Sequence, residues 1–216
     1  MKHLSIILLV VCFAVLTGCR STYKSLQLQK EKEMITKGFP SIFAHNQNAV
    51  AFDTEILFRS TQVSGLLFFQ PLDGGRFRTA LTTKMGQKIF DFTIGNDEFQ
   101  LNYIIPQLKK KVILNLLRKD MQLITQSFPD NTHVEVFTQP EPAQTVYRLE
   151  KDKHCVYYRF DKTTGQLTGI ESGSRRHYKI KAALQDFYGE IPHQITLDHK
   201  LLFKLQLNMH WVALDN

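Results

Sequence analysis

Few residues of this chain are placed to do covalent chemistry. The motifs H-E-x-x-H, C-x-x-C, G-x-S-x-G and G-x-x-x-x-G-K-[ST] do not occur. The eight histidines are scattered, and no two share the spacing of metal ligands on one helix face, so no metal site is nominated. The stretch "ESGSRRH", Glu171 to His177, gathers serine, arginine and histidine, yet it reads as a loop entering a strand, where chance proximity is the simpler account. Acidic residues are dispersed and offer no carboxylate pair for acid–base work. The expectation is a protein that is not an enzyme and uses no cofactor. Cys155 lies in the apolar, β-prone run "HCVYYRF" and reads as a buried small hydrophobe. What is left is the thiol of Cys19.

Cys19 sits in "LTGCRS", directly after an uncharged run from Leu4 to Leu16 that follows the basic start "MKH". The run is shorter than the ~20 apolar residues of a membrane-spanning helix. It suits the apolar part of a secretion signal. Leu16-Thr17-Gly18-Cys19 resembles the bacterial lipobox. That resemblance implies a signal peptide over residues 1–18, diacylation of Cys19, cleavage before it and acylation of the new amino group. The alternative is an uncleaved anchor with an incidental cysteine. Stable anchoring takes at least two acyl chains, which a triacylated Cys19 exceeds. Cys12 would leave with the signal, and Cys155 would then have no partner for an internal disulfide.

The formal charge of +7 over 216 residues could suit nucleic acid. Behind an export signal that partner is not expected; anionic lipid or an acidic partner fits better, with a scattered solvated surface as the default. Arg20 follows the cysteine; an aspartate there would suggest inner-membrane retention in enterobacteria. The expected location is therefore the outer membrane, lipid-anchored and facing the periplasm.

The elements that must hold such a molecule together follow. Residues 19–47 carry the polar, helix-compatible "YKSLQLQKEKEMIT" and read as a tether or short helix, broken at Gly38-Phe39-Pro40. Residues 48–216 read as one domain. Short β-prone segments with Gly- and Asp-rich turns between them point to an antiparallel meander. One amphipathic helix is predicted from Gln107 to Thr125, with Leu108, Val112, Ile113, Leu116, Leu117, Met121 and Ile124 as its apolar stripe. Its lysines and arginines could meet a membrane, but such a helix more often covers a sheet. Near the end, Phe203, Leu205, Leu207, Met209 and Trp211 alternate with polar residues, and "IPHQITL" reads as the hairpin partner, turning at Asp198-His199-Lys200. His193 and His199, flanking that partner strand, read as surface residues.

The predicted fold class is mainly β: a curled, unclosed antiparallel β-barrel of about eleven strands under a helical lid. Its interior is either filled by side chains or open to an apolar ligand. The residues expected to line a cavity are Phe68, Phe77, Leu81, Phe90, Phe92, Ile113, Leu117, Phe203, Leu205 and Leu207.

Three stretches carry a family resemblance. "RFRTALTTKMGQKIFDFTI" is similar to a region of the outer-membrane lipoprotein receptor LolB in which two strands flank a short loop ending in a hydrophobic residue and glycine. "VYYRFDKTTGQLTGIES" resembles its later hairpin, and "IPHQITLDHKLLFKLQLNMHWVAL" its closing hairpin. The resemblance, which extends to the soluble carrier LolA, implies an unclosed barrel, helices as a lid and an apolar cavity for acyl chains. It implies lipoprotein or lipid cargo, delivery by a periplasmic LolA-like carrier, and a membrane-insertion role for Met85, the loop hydrophobe in "TTKMGQK". Lys84 and Lys88 would then stay at the headgroups while Gly86 lets the backbone turn. A plain turn with one exposed apolar residue is the alternative.

Overall fold

The computed structural model describes residues 21–35, 41–43, 48–58, 61–95, 98–125, 132–151, 153–189, 191–200 and 205–214. The closing hairpin shows how the pattern becomes structure. Leu205, Leu207 and Met209 are buried, while Gln206, Asn208 and His210 point the other way, as a period of two requires. Turns are set by residues that tolerate left-handed backbone: Gly74 and Gly75, with φ of 74° and 71°, close one hairpin at the expected Asp73-Gly74-Gly75.

Among the described residues, thirteen strands form one antiparallel sheet. They are β1 (Gln27–Ile35), β2 (Val50–Phe58), β3 (Thr61–Leu72), β4 (Arg76–Thr82), β5 (Lys88–Ile94), β6 (Phe99–Ile104), β7 (Thr132–Gln139), β8 (Gln144–Lys151), β9 (His154–Asp161), β10 (Leu167–Gly173), β11 (Tyr178–Tyr188), β12 (Ile191–His199) and β13 (Leu205–Val212). A 3-10 turn (Pro106–Leu108) leads into the helix α1 (Lys111–Thr125) between β6 and β7. The sheet order is β1-β7-β8-β9-β10-β11-β12-β13-β2-β3-β4-β5-β6, so two meanders are joined where β13 pairs with β2. The edges are β1 and β6, and the barrel stays unclosed.

The sheet curls. In a flat sheet six steps of ~4.8 Å would put β11 about 29 Å from β5. A helix of fifteen residues is only about 22 Å long. Yet α1 packs against β5, β10 and β11 together, which requires the sheet to wrap around it.

Two strands exceed the expected eleven. β1 replaces the predicted tether or short helix. Its sequence "QLQKEKEMI" is polar on both faces because it lies at an edge, paired only with β7, and so lacks the alternation that marks a half-buried strand. Charged residues on an edge also discourage pairing with other chains. The second addition is β7, which lies between the helix and the proline-rich turn; its Val134 and Val136 turn inward. Helix α1 begins later than Gln107, and Val112, predicted for its apolar stripe, is exposed; Leu117, Met121 and Ile124 are buried as expected.

The core is dense at one end. Phe43 is fully buried, stacked on Phe69 at 4.4 Å between centroids and close to Phe52 at 5.9 Å and Phe77 at 6.3 Å. Because all neighbours are antiparallel, the β2–β3, β4–β5, β8–β9, β10–β11 and β12–β13 connections emerge at the opposite end, which is called the upper end below.

Candidate functional site

The upper end is where the interior opens. A cavity of about 380 Å³ lies between α1 and the upper parts of β2, β3 and β13. Ile56 and Phe58 of β2, Val63 of β3 and Leu205 of β13 form one wall; Ile113, Leu116 and Leu117 of α1 form the other. Ile105 and Leu108 line it from the turn before α1, and Thr61, Gln107 and Lys110 are its polar members. The helix contributes this face because 113, 116 and 117 recur at helical spacing. The volume falls within the ~300–1,000 Å³ of small-molecule sites, and the lining can desolvate a chain without offering it hydrogen bonds.

Of the ten residues predicted to line a cavity, Ile113, Leu117 and Leu205 do so. Phe77, Leu81, Phe90, Phe92 and Leu207 are buried in the packed core instead, where ring contacts such as Phe90–Phe92 at 4.6 Å take up the space. Phe68 is a correction: Leu67 and Phe69 turn inward, so the pleat sends Phe68 to the other face. Phe203 lies outside the described residues, as does Cys19.

Met85 is 94% exposed at the tip of the β4–β5 connection, at the upper end. The loop is ordered by its own bonds: Gly86 N–H donates to Thr83 O at 2.9 Å, and Gln87 N–H donates to Thr83 Oγ1 at 3.1 Å. Gly86 has φ of 82°, so it makes the turn expected of it. The lysines beside Met85 each have a carboxylate partner. Lys84 Nζ pairs with Asp53 at 2.8 Å, and Lys88 Nζ with Asp91 at 2.7 Å.

The N-terminal segment enters the fold at the same end. Thr22 N–H donates to Arg176 O at 2.9 Å and the Ser21 hydroxyl donates to the same oxygen at 3.2 Å, on the β10–β11 turn. Tyr23 then stacks on Tyr157 at 4.1 Å over the outer face, in a small second core with Phe137, Val146 and Cys155. Cys155 is fully buried there, and burial pushes its thiol up, as suits a packing role. The "ESGSRRH" stretch is thus a docking turn for the segment that follows Cys19.

His199 is the residue whose role was missed. It is not on the surface: its side chain is 1% exposed, and its Nε2 lies 2.6 Å from Oδ1 of the fully buried Asp120, tying β12 to α1. Burial pushes the Asp120 carboxyl up, and the His199 bond works against that. Among the described residues, Asp120 Oδ2 and His199 Nδ1 have no hydrogen-bond partner. The signal was present, since Ile195, Leu197 and His199 share one face of a strand, and Asp120 sits three residues after Leu117 on the helix stripe.

No family model matches the chain, and no curated protein matches it. Among solved structures, it is similar to an outer membrane lipoprotein-sorting protein domain from Vibrio parahaemolyticus, at 7% identity and a TM-score of 0.37, over 78% of this chain and 85% of that one. It is also similar to a LolA superfamily protein from Nitrosomonas europaea, at 9% identity and a TM-score of 0.40, over 78% and 86%. These neighbours are lipoprotein-sorting and LolA-superfamily domains; neither singles out LolB.

Proposed function

We propose that the protein is a lipid-anchored acceptor that takes an acyl chain, on a lipoprotein or another lipid, into the cavity beneath α1 and passes it to the membrane. The observation that carries this reading is spatial: the apolar cavity, the exposed Met85 and the entry of the N-terminal segment all belong to the upper end. Ser21 is two residues after Cys19, and an extended chain covers at most ~3.6 Å per residue, so a lipid on Cys19 would begin within about 7 Å of Ser21. An anchor there would present the cavity mouth and Met85 to the same bilayer. The bilayer is proposed to be the outer membrane, on its periplasmic side, with a LolA-like carrier delivering the cargo.

Native mass spectrometry of the full chain released from nonionic detergent tests this. An acyl lipid retained as a non-covalent adduct supports it, and the mass of the mature N-terminus reports whether Cys19 is modified. A bare polypeptide that takes up no added fatty acid would sink it. The dense lower core around Phe43 favours a second reading, an interaction lipoprotein that carries no ligand, and that is the outcome the bare mass would support.

A further inference from the structure

A second cavity, about 350 Å³, adjoins the first along α1 on the side of β9 to β12. Leu116 lines both. The chemistry of the second is different. Its wall carries Lys119 of α1, His154, Ser172 and Lys179 from β9, β10 and β11, and His199 of β12, with no acidic residue among the lining.

The positive charges of this cavity are uncompensated. Among the described residues, neither Lys119 nor Lys179 has a carboxylate within ion-pair distance. Asp120, which follows Lys119 on α1, is fully buried and committed to His199 Nε2. Among the described residues, the Nδ1 of His199 and the Nε of Arg118, both on lining residues, are buried with no hydrogen-bond partner, although the Arg118 guanidinium lies over the Phe99 ring at 5.5 Å. Burial and the two lysines push the His154 imidazole down, so the field at this wall is positive. Ser172 Oγ lies 3.2 Å from His154 Nε2 and supplies a further polar group. A buried guanidinium N–H without an acceptor, beside lysines without carboxylate partners, is an arrangement that binds an anion.

We propose that this cavity receives the anionic headgroup, a phosphate or carboxylate, of an amphiphile whose acyl chain lies in the apolar cavity. The proposal rests on the acyl-binding reading above and names its ligand class: an acidic lipid. Leu116 marks the boundary between tail and head. Lys119 and Lys179 would pair with the anion, and with the buried Asp120 carboxyl protonated and donating to Nε2, His199 would donate its Nδ1–H to it.

The test is a titration of the full chain in nonionic detergent, with empty micelles as the blank, against decyl phosphate, decanol and inorganic phosphate. Decyl phosphate is expected to bind about tenfold or more tighter than decanol, as a charge-assisted contact allows. In the K119Q/K179Q double variant, whose changes are on exposed side chains, that difference should vanish while decanol binding is unchanged. Binding should also raise the His154 imidazole pKa, read by NMR. Equal affinity for decyl phosphate and decanol in the parent would overturn the headgroup site and leave the acyl reading standing. Failure of both amphiphiles would overturn both. Inorganic phosphate binding as tightly as decyl phosphate would make this a free-anion site and overturn the amphiphile.

Discussion

Val63 offers the most direct way to close the apolar cavity. It lies on β3, half-buried, facing α1 across the cavity. Val63→Trp adds the bulk of about three methylenes, and it adds them inside the cavity, so the ~1–3 kcal/mol cost of overpacking a dense core is largely avoided. Each methylene of a bound chain contributes ~0.8 kcal/mol on leaving water. Excluding about three of them weakens binding by about 2.4 kcal/mol, or roughly 50-fold in Kd. The assay is fluorescence titration with cis-parinaric acid, whose emission rises on entering an apolar site, alongside thermal melts to establish folding. Ser64→Trp is the control. Ser64 is exposed on the opposite face of the same strand and should leave Kd unchanged. A folded Val63→Trp chain that binds the fatty acid as tightly as the parent would refute the placing of the acyl chain between α1 and β2–β3.

Three further outcomes are expected. Met85→Glu should change stability by no more than ~0.5 kcal/mol, because the side chain is 94% exposed, yet slow cargo transfer to vesicles while cargo binding persists; undiminished transfer would take Met85 out of the membrane contact. Asp91, 1% exposed, accepts bonds from Arg78 at 2.7 and 3.1 Å, from Lys88 at 2.7 Å and from Asn102 at 3.2 Å, and the Arg78 guanidinium first among these holds its carboxyl well below the usual range. A depressed folded pKa gives stability that is present above the unfolded value of ~3.9 and lost as pH falls below it, so Asp91→Asn should flatten the acid limb of a melting-temperature profile; an unchanged limb would count against the network. Tyr23→Ala should cost about 3 kcal/mol in denaturant unfolding by removing the ring stacked on Tyr157, and a loss under ~0.5 kcal/mol would show that the N-terminal segment is not clasped to the outer face.

Where a residue's own neighbours along the chain decide its state, the sequence was sufficient. The alternation in β13 predicted which of its side chains turn inward, because pleating alone produces it. The apolar run around Cys155 predicted a packed thiol. The paired glycines marked the Asp73–Gly75 turn because few other residues accept the backbone angles of Gly74 and Gly75. The 3.6-residue recurrence located α1 to within its first turn.

Where the decision belongs to distant partners, it was not legible. β1 is a strand because β7 offers it an unpaired edge about a hundred residues away, and a chain satisfied by one neighbour need not look amphipathic. His199 looked like a turn residue between Asp198 and Lys200, and only the approach of Asp120, 79 positions earlier, makes it a buried partner. Apolar composition could name residues that avoid water, but not whether they meet one another or border a void. That depends on the curl of the sheet around α1, which packs Phe77, Phe90 and Phe92 against neighbours and leaves Ile113, Leu117 and Leu205 facing a cavity. Curvature is set by the accumulated twist of thirteen strands and by one helix wedged among them, a property of the assembled sheet that no local stretch encodes.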